Sequence, residues 1–116
     1  MVRVIVDATQ SVAHGYLDVD RLGADAVYFS GHKMFAGNGI GVSWTSSDFY
    51  KELYDYWGNN RINSHELFEK GTLDIPGILS IGEAVGFIQK IGTDNIKSRL
   101  TDLTQYLIKA LSAIEK

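Results

Sequence analysis

The sequence predicts an α/β fold with mainly parallel strands and flanking helices, and three observations lead there. Short apolar runs, the first of them largely β-branched, stop abruptly at polar residues, once at Val6-Asp7 and again at Phe29-Ser30, as strands buried in a parallel sheet do. The second half carries two stretches with apolar residues at helical spacing, the mark of amphipathic helices. Between these halves lies a lysine, Lys33, just past the end of the second run, where an α/β sheet binds its ligands.

Taken in order, Val2 to Val6 is β-branched apart from Arg3 and reads as a strand of the buried, parallel kind whose carboxyl end presents Asp7. Ser11 to Tyr16 reads as loop. Leu17 to Gly23 reads as a short helical turn closed by Gly23, because a glycine accepts the left-handed conformation that ends a helix. Ala24 to Ser30 is the second strand. A glycine-rich loop, Gly37-Asn38-Gly39-Ile40-Gly41, leads into Gly41 to Thr45, which alternates as a third strand does. Ser47 or Asp48 can then cap a helix running to about Tyr56.

From Trp57 to Pro76 the periodicity fades into Gly, Asn, Ser, His and Glu, a long loop of the kind that usually carries function. Ile78, Ile81, Val85 and Ile88 then fall on one helical face ended by Gly92, with Gly82 and Gly86 leaving room for close packing. Thr93 or Asp94 caps a last helix whose apolar stripe, Ile96, Leu100, Leu103, Leu107, Leu111 and Ile114, runs almost to Lys116. A strand that begins at the first residues and a stripe that continues to the last are what an interior piece of a larger α/β protein would have.

With 116 residues, one domain with a modest core is expected, helped by a partner surface. A net charge of −3 offers nothing to nucleic acid or to an anionic membrane, so a phosphate would have to be held by local geometry. Cysteine is absent, which excludes disulfides, thiolate metal sites and a cysteine nucleophile within this chain. No signal-like start or long apolar run is present, which reads as a cytoplasmic protein. His14, His32 and His65 fit no common metal-ligand spacing, so no metal is expected. The glycine-rich loop precedes a strand instead of opening a helix, unlike a nucleotide-binding loop.

Lysines are mostly exposed, so Lys33 by itself says little. Its company says more. Asp7, Gln10, Ser30, His32 and Lys33 come from the carboxyl ends of two strands that would be neighbours in a parallel sheet, bringing a carboxylate, an amide, a hydroxyl, an imidazole and an amine toward one crevice. That set suits pyridoxal phosphate: a lysine for the Schiff base, an acid for the pyridine nitrogen, and donors for the phosphate and the phenolic oxygen. Singly, each residue also has an ordinary structural use: Asp7 as a loop cap, Gln10 and Ser30 as turn formers, His32 as a satisfied polar group.

The run Val6-Asp7-Ala8-Thr9-Gln10-Ser11-Val12-Ala13-His14, followed by Asp18-Val19, Leu22-Gly23, Asp25, Tyr28-Phe29-Ser30-Gly31-His32-Lys33 and Gly39-Ile40-Gly41-Val42, resembles the core of the class V aminotransferase family. Within that family the resemblance is to the cysteine desulfurase and selenocysteine lyase branch. Phe68-Glu69-Lys70-Gly71-Thr72 is similar to the family's Phe-Glu-x-Gly-Thr segment. The resemblance implies part of the large domain of a fold type I pyridoxal phosphate enzyme: residues 1–92 its central part, and 93–116 a helix leading toward a small domain. It implies Lys33 as the Schiff-base lysine, Asp7 on the pyridine nitrogen, Gln10 on the phenolic oxygen, and Ser30 and His32 on the phosphate. Thr72 would reach the phosphate of the neighbouring subunit in a homodimer, and His14 aligns with a family histidine beside the site.

Departures fall mainly downstream. Trp57-Gly58-Asn59-Asn60 replaces a glycine triplet, Leu67 stands where the family has arginine, and Leu73-Asp74 where it has Pro-Asn. They bear on substrate and branch more than on the cofactor. The resemblance places a ring-stacking histidine, a mobile cysteine and a substrate-binding arginine in segments outside these residues, so this chain alone is expected to be incomplete and inactive. The alternative expectation is a non-catalytic truncated module that self-associates through its apolar helices.

Overall fold

The computed structural model describes residues 2–15, 17–57, 69 and 71–114. Its centre is a three-stranded sheet, β1 (Ile5–Asp7), β2 (Ala26–Ser30) and β3 (Gly41–Thr45), in the order β1-β2-β3. β1 and β2 run parallel, with Ile5 opposite Ala26 and Asp7 opposite Tyr28. β3 runs antiparallel to β2, from Ser30 opposite Gly41 to Ala26 opposite Thr45, so the sheet is mixed. Chain length decides this. Residues 8–25 form a crossover long enough for a parallel return, whereas residues 31–40 only turn the chain back.

The crossover carries a single helical turn, α1 (Val19–Leu22). Asp18 caps it, its Oδ1 accepting from the backbone N–H groups of Asp20 and Arg21 at 3.1 Å. Gly23 closes it in the left-handed conformation (φ 59°), as its spacing predicts. Helix α2 (Ser47–Trp57) follows β3 directly. Its cap lies one residue earlier than expected: the Ser46 hydroxyl accepts from the Phe49 N–H at 3.3 Å. The loop expected over 57–76 falls largely outside the described residues, His65 included.

Helix α3 (Ile75–Ile91) starts at Asp74, whose Oδ1 accepts the Gly77 N–H at 3.1 Å. Helix α4 (Thr93–Ser112) begins immediately after it. Neither Thr93 nor Asp94 caps it. Gly92, at φ 88°, ends α3 and starts α4, while Asn95 Nδ2 donates back to the Ile91 carbonyl at 2.7 Å. Gly82 and Gly86 were expected to admit close packing, yet a side-chain carbon at either would meet nothing within 4 Å.

Two small apolar clusters hold these pieces. Ala8, Ala24 and Val27, with Val6, Leu17, Val19 and Trp44, fill one face of the sheet. Ala13, Met34, Ala84 and Ile88, with Val12, Ala36, Ile81 and Ile96, join α3 to the loops beyond β1 and β2. Phe29 touches both. The opposite face of the sheet is open, with Ile5 58% and Tyr28 45% exposed. The strand expected over Val2 to Val6 spans only Ile5–Asp7 and is covered on one face alone. At the far end of the sheet Arg3 donates to Asp25 Oδ1 (2.7 Å) and to Glu52 of α2 (Nε, 2.9 Å), over the Phe49 ring. Among the described residues no helix is long and apolar enough to cross a membrane.

Candidate functional site

Because β1 and β2 are parallel neighbours, their carboxyl ends lie side by side at one edge of the sheet. Asp7 pairs with Tyr28 in the register, and the Ala8 N–H continues the ladder to the Tyr28 carbonyl at 2.9 Å. Alternation puts Asp7, Tyr28 and Ser30 on one face, the open one. The next four residues, Gly31–Met34, wind into a 3-10 turn that carries His32 and Lys33. The acid and the amine thus leave adjacent strands at the same sheet end.

Asp7 is exposed yet oriented. The Thr9 backbone N–H donates to its Oδ1 at 2.9 Å. The Thr9 hydroxyl and then this N–H hold the carboxyl below the usual carboxylate range, with a smaller contribution from the Tyr28 hydroxyl, since donors stabilise the ionised form. Ser30 Oγ and His32 Nδ1 lie 2.7 Å apart, which couples the two groups that follow β2. Lys33 is exposed on the same turn. Gln10 and His14 are exposed in the turns after Asp7, where the Ala8 carbonyl accepts from the N–H groups of Ser11 (3.0 Å) and Val12 (2.9 Å).

Gly31 is buried, and a side-chain carbon there would lie 2.7 Å from Ile81 Cδ1 and 2.9 Å from Ile40 Cγ2. Thr72 is not brought to Lys33. It lines a separate groove of about 590 Å³ with Gly39, Ser43, Leu73, Asp74 and Ile78, a groove that neither Asp7 nor Lys33 borders. Of the Phe68 to Thr72 segment, Phe68 and Lys70 fall outside the described residues.

Three neighbours of the site went unread in the sequence. Thr9, two residues after Asp7, had a signal, because a carboxylate commonly accepts from the backbone two residues on. Phe35 had none: it ends the lysine turn at φ 73° and sets its ring edge-on to Phe87 of α3 at 5.3 Å. Ser80 had a faint one, a hydroxyl among the apolar positions of α3. Its Oγ accepts the Gly37 N–H at 3.0 Å and donates to the Gly77 carbonyl at 2.6 Å.

The fold matches a solved apo structure of cysteine desulfurase from Thermococcus onnurineus. The TM-score is 0.81 with 27% identity, over 95% of this chain and 31% of that one. The fold thereby falls in a class, that of the fold type I enzymes to which this cysteine desulfurase structure belongs. A family profile described as aminotransferase class-V matches residues 1–116. Similar curated proteins include a probable cysteine desulfurase of Halalkalibacterium halodurans, 36% identical over 97% of this chain and 30% of that protein. The cysteine desulfurase of Cronobacter sakazakii is 30% identical over 97% of this chain and 31% of its own length. The chain belongs to the class V aminotransferase family, and it spans about 30% of the length of the curated relatives it matches.

Proposed function

We propose that this chain forms the lysine-bearing centre of a pyridoxal phosphate site in a protein of the cysteine desulfurase or selenocysteine lyase kind, acting on an amino acid. One observation carries the reading: Asp7 and the Lys33 turn leave the carboxyl ends of two parallel neighbours. The donor set suits the cofactor. An exposed carboxylate kept ionised by Thr9 can hold a proton on a pyridine nitrogen, and Gln10 beside it can donate to the phenolic oxygen. Ser30 and His32, already hydrogen-bonded to each other, offer polar hydrogens to a phosphate.

Bound there, pyridoxal phosphate supplies an electron sink for a carbanion at the substrate's α-carbon. Lys33 would hold the cofactor through its Nζ and, once the substrate's amine has displaced that Nζ, the freed amine would be the base for the α-proton. Asp7, held below the usual carboxylate range by its Thr9 donors, would be the residue to hold the ring nitrogen. In this reading residues 1–92 belong to the large domain and 93–116 lead toward a small one. The protein works in the cytoplasm as a homodimer, with Thr72 serving the neighbouring subunit's phosphate. Its place in a groove away from Lys33 of its own chain supports that assignment. Alone, these 116 residues capture the cofactor weakly and do not turn over, because the stacking and substrate-carboxylate groups of the family lie in other segments.

The test is incubation with pyridoxal phosphate, borohydride reduction and peptide mapping. Label is expected at Lys33 and is lost in Lys33→Ala. Equal label at another lysine ends the assignment.

A further inference from the structure

The lysine turn has little of its own to hold its shape. Gly31–Met34 is a single 3-10 turn, a weakly bonded unit, and it ends at Phe35 in a conformation that side chains rarely adopt. Helix α3 holds it from outside. Ile81 fills the space over Gly31, Ala84 and Ile88 pack with Met34, and Phe87 meets the Phe35 ring. These contacts are apolar and give closeness without direction. The Ser80 hydroxyl gives direction, accepting the Gly37 N–H at 3.0 Å while its own hydrogen is engaged by the Gly77 carbonyl at 2.6 Å. Its rotor is fixed by that second bond, so its lone pair is aimed.

We propose that Ser80 is a positioning residue for Lys33: its bond to Gly37 fixes where the chain leaves the lysine turn, and so where the amine is presented. The inference rests on Lys33 being the cofactor lysine and extends it to a helix that contributes no group to the site. Gly37 is exposed, so water can replace the hydroxyl at little cost to stability. What the replacement loses is orientation, to which bond-forming steps are sensitive.

The experiment compares the chain with Ser80→Ala, Ser80→Thr and Ser80→Cys by borohydride trapping of pyridoxal phosphate. The quantities read are the share of label at Lys33 against the other lysines and the pH midpoint of the bound chromophore's absorbance. In Ser80→Ala the Lys33 share falls by about fivefold or more and the midpoint moves, while the thermal midpoint stays within about 2 °C. Ser80→Thr, which keeps the hydroxyl, restores most of the share. Ser80→Cys, close in size but a weak acceptor, behaves as Ser80→Ala and stands in for it if that variant does not fold. Full Lys33 label in Ser80→Ala or Ser80→Cys overturns the role of Ser80 and leaves the cofactor reading standing. Label absent from Lys33 in the unaltered chain overturns both.

Discussion

The Asp7 carboxylate is open to solvent, yet the Thr9 hydroxyl and N–H hold it in place and below the usual carboxylate range. Asp25 is lowered as well, first by the Val4 N–H at 2.8 Å and then by Arg3. A group whose folded pKa is depressed adds stability above its unfolded pKa, and that contribution disappears as pH falls through the folded value. The window therefore lies below about pH 4. The urea midpoint is expected to be flat from about pH 7 to 5 and to drop toward about pH 2. The drop shrinks in Asp7→Asn and in Asp25→Asn, and shrinks further when both are changed, since the two carboxylates have separate partners. An acid slope unaltered in Asp7→Asn would mean that the Thr9 contact is not made in solution. The same carboxylate shows what residue-level reading reaches. Its place at a strand end was legible from the polarity break at Val6-Asp7, and Thr9 could have been found from local turn chemistry. Ser80 and Phe35 owe their parts to contacts between α3 and the lysine turn, which are far apart in sequence, so local pattern gives at most a faint sign of them.

At the scale of elements, the lysine turn is seated by a glycine. A side-chain carbon at Gly31 would press on Ile81 Cδ1 at 2.7 Å, Ile40 Cγ2 at 2.9 Å and the Ile40 carbonyl oxygen at 3.1 Å. The isoleucine tips can swing aside, but the carbonyl belongs to the backbone that accepts the Gly31 N–H at 2.8 Å. Gly31→Ala is therefore expected to destabilise by about 1–3 kcal/mol, the usual range for overpacking, measured by urea unfolding. Loss well under that range would show that β2 and α3 part easily. Elements with a strong internal signal were legible: the alternation of Gly41 to Thr45, the Gly23 end of α1, the stripe of α4. Ends were less so. Ser46, Ser47 and Asp48 can all cap, and only the path of β3 selects Ser46. Asp74 shows a departure that preserves a function, because Asn and Asp cap a helix equally well and Asp74 does cap α3.

For the whole molecule, the question is how so little core supports so much helix. The only side chain of any size that is wholly buried, among those described, is Val27 at 1%. The radius of gyration is 18.4 Å, with extents of 64 × 37 × 27 Å, well above the roughly 13 Å of a compact chain near this size. Helix α4 is packed only at its start: Ile96 reaches the cluster under α3, while Leu107 is 55% and Ile114 69% exposed. Leu103, Leu107, Leu111 and Ile114 recur at helical spacing, so their exposed area is one stripe instead of scattered side chains, and an apolar stripe of that kind drives association in water. For the 116-residue chain on its own, light scattering is expected to show a mass that rises with concentration, through pairing of α4 stripes between copies. Leu107→Lys with Leu111→Lys places two charges in the stripe and returns the chain to monomer at the same concentration. Both residues are exposed, so helix content by circular dichroism stays unchanged. Association that persists in the double variant would place the contact on the open sheet face around Ile5 and Tyr28. Pyridoxal phosphate distinguishes the two surfaces further, because Asp7 lies on that sheet face and α4 bears no site residue: cofactor should compete with pairing through the sheet and leave pairing through α4 untouched.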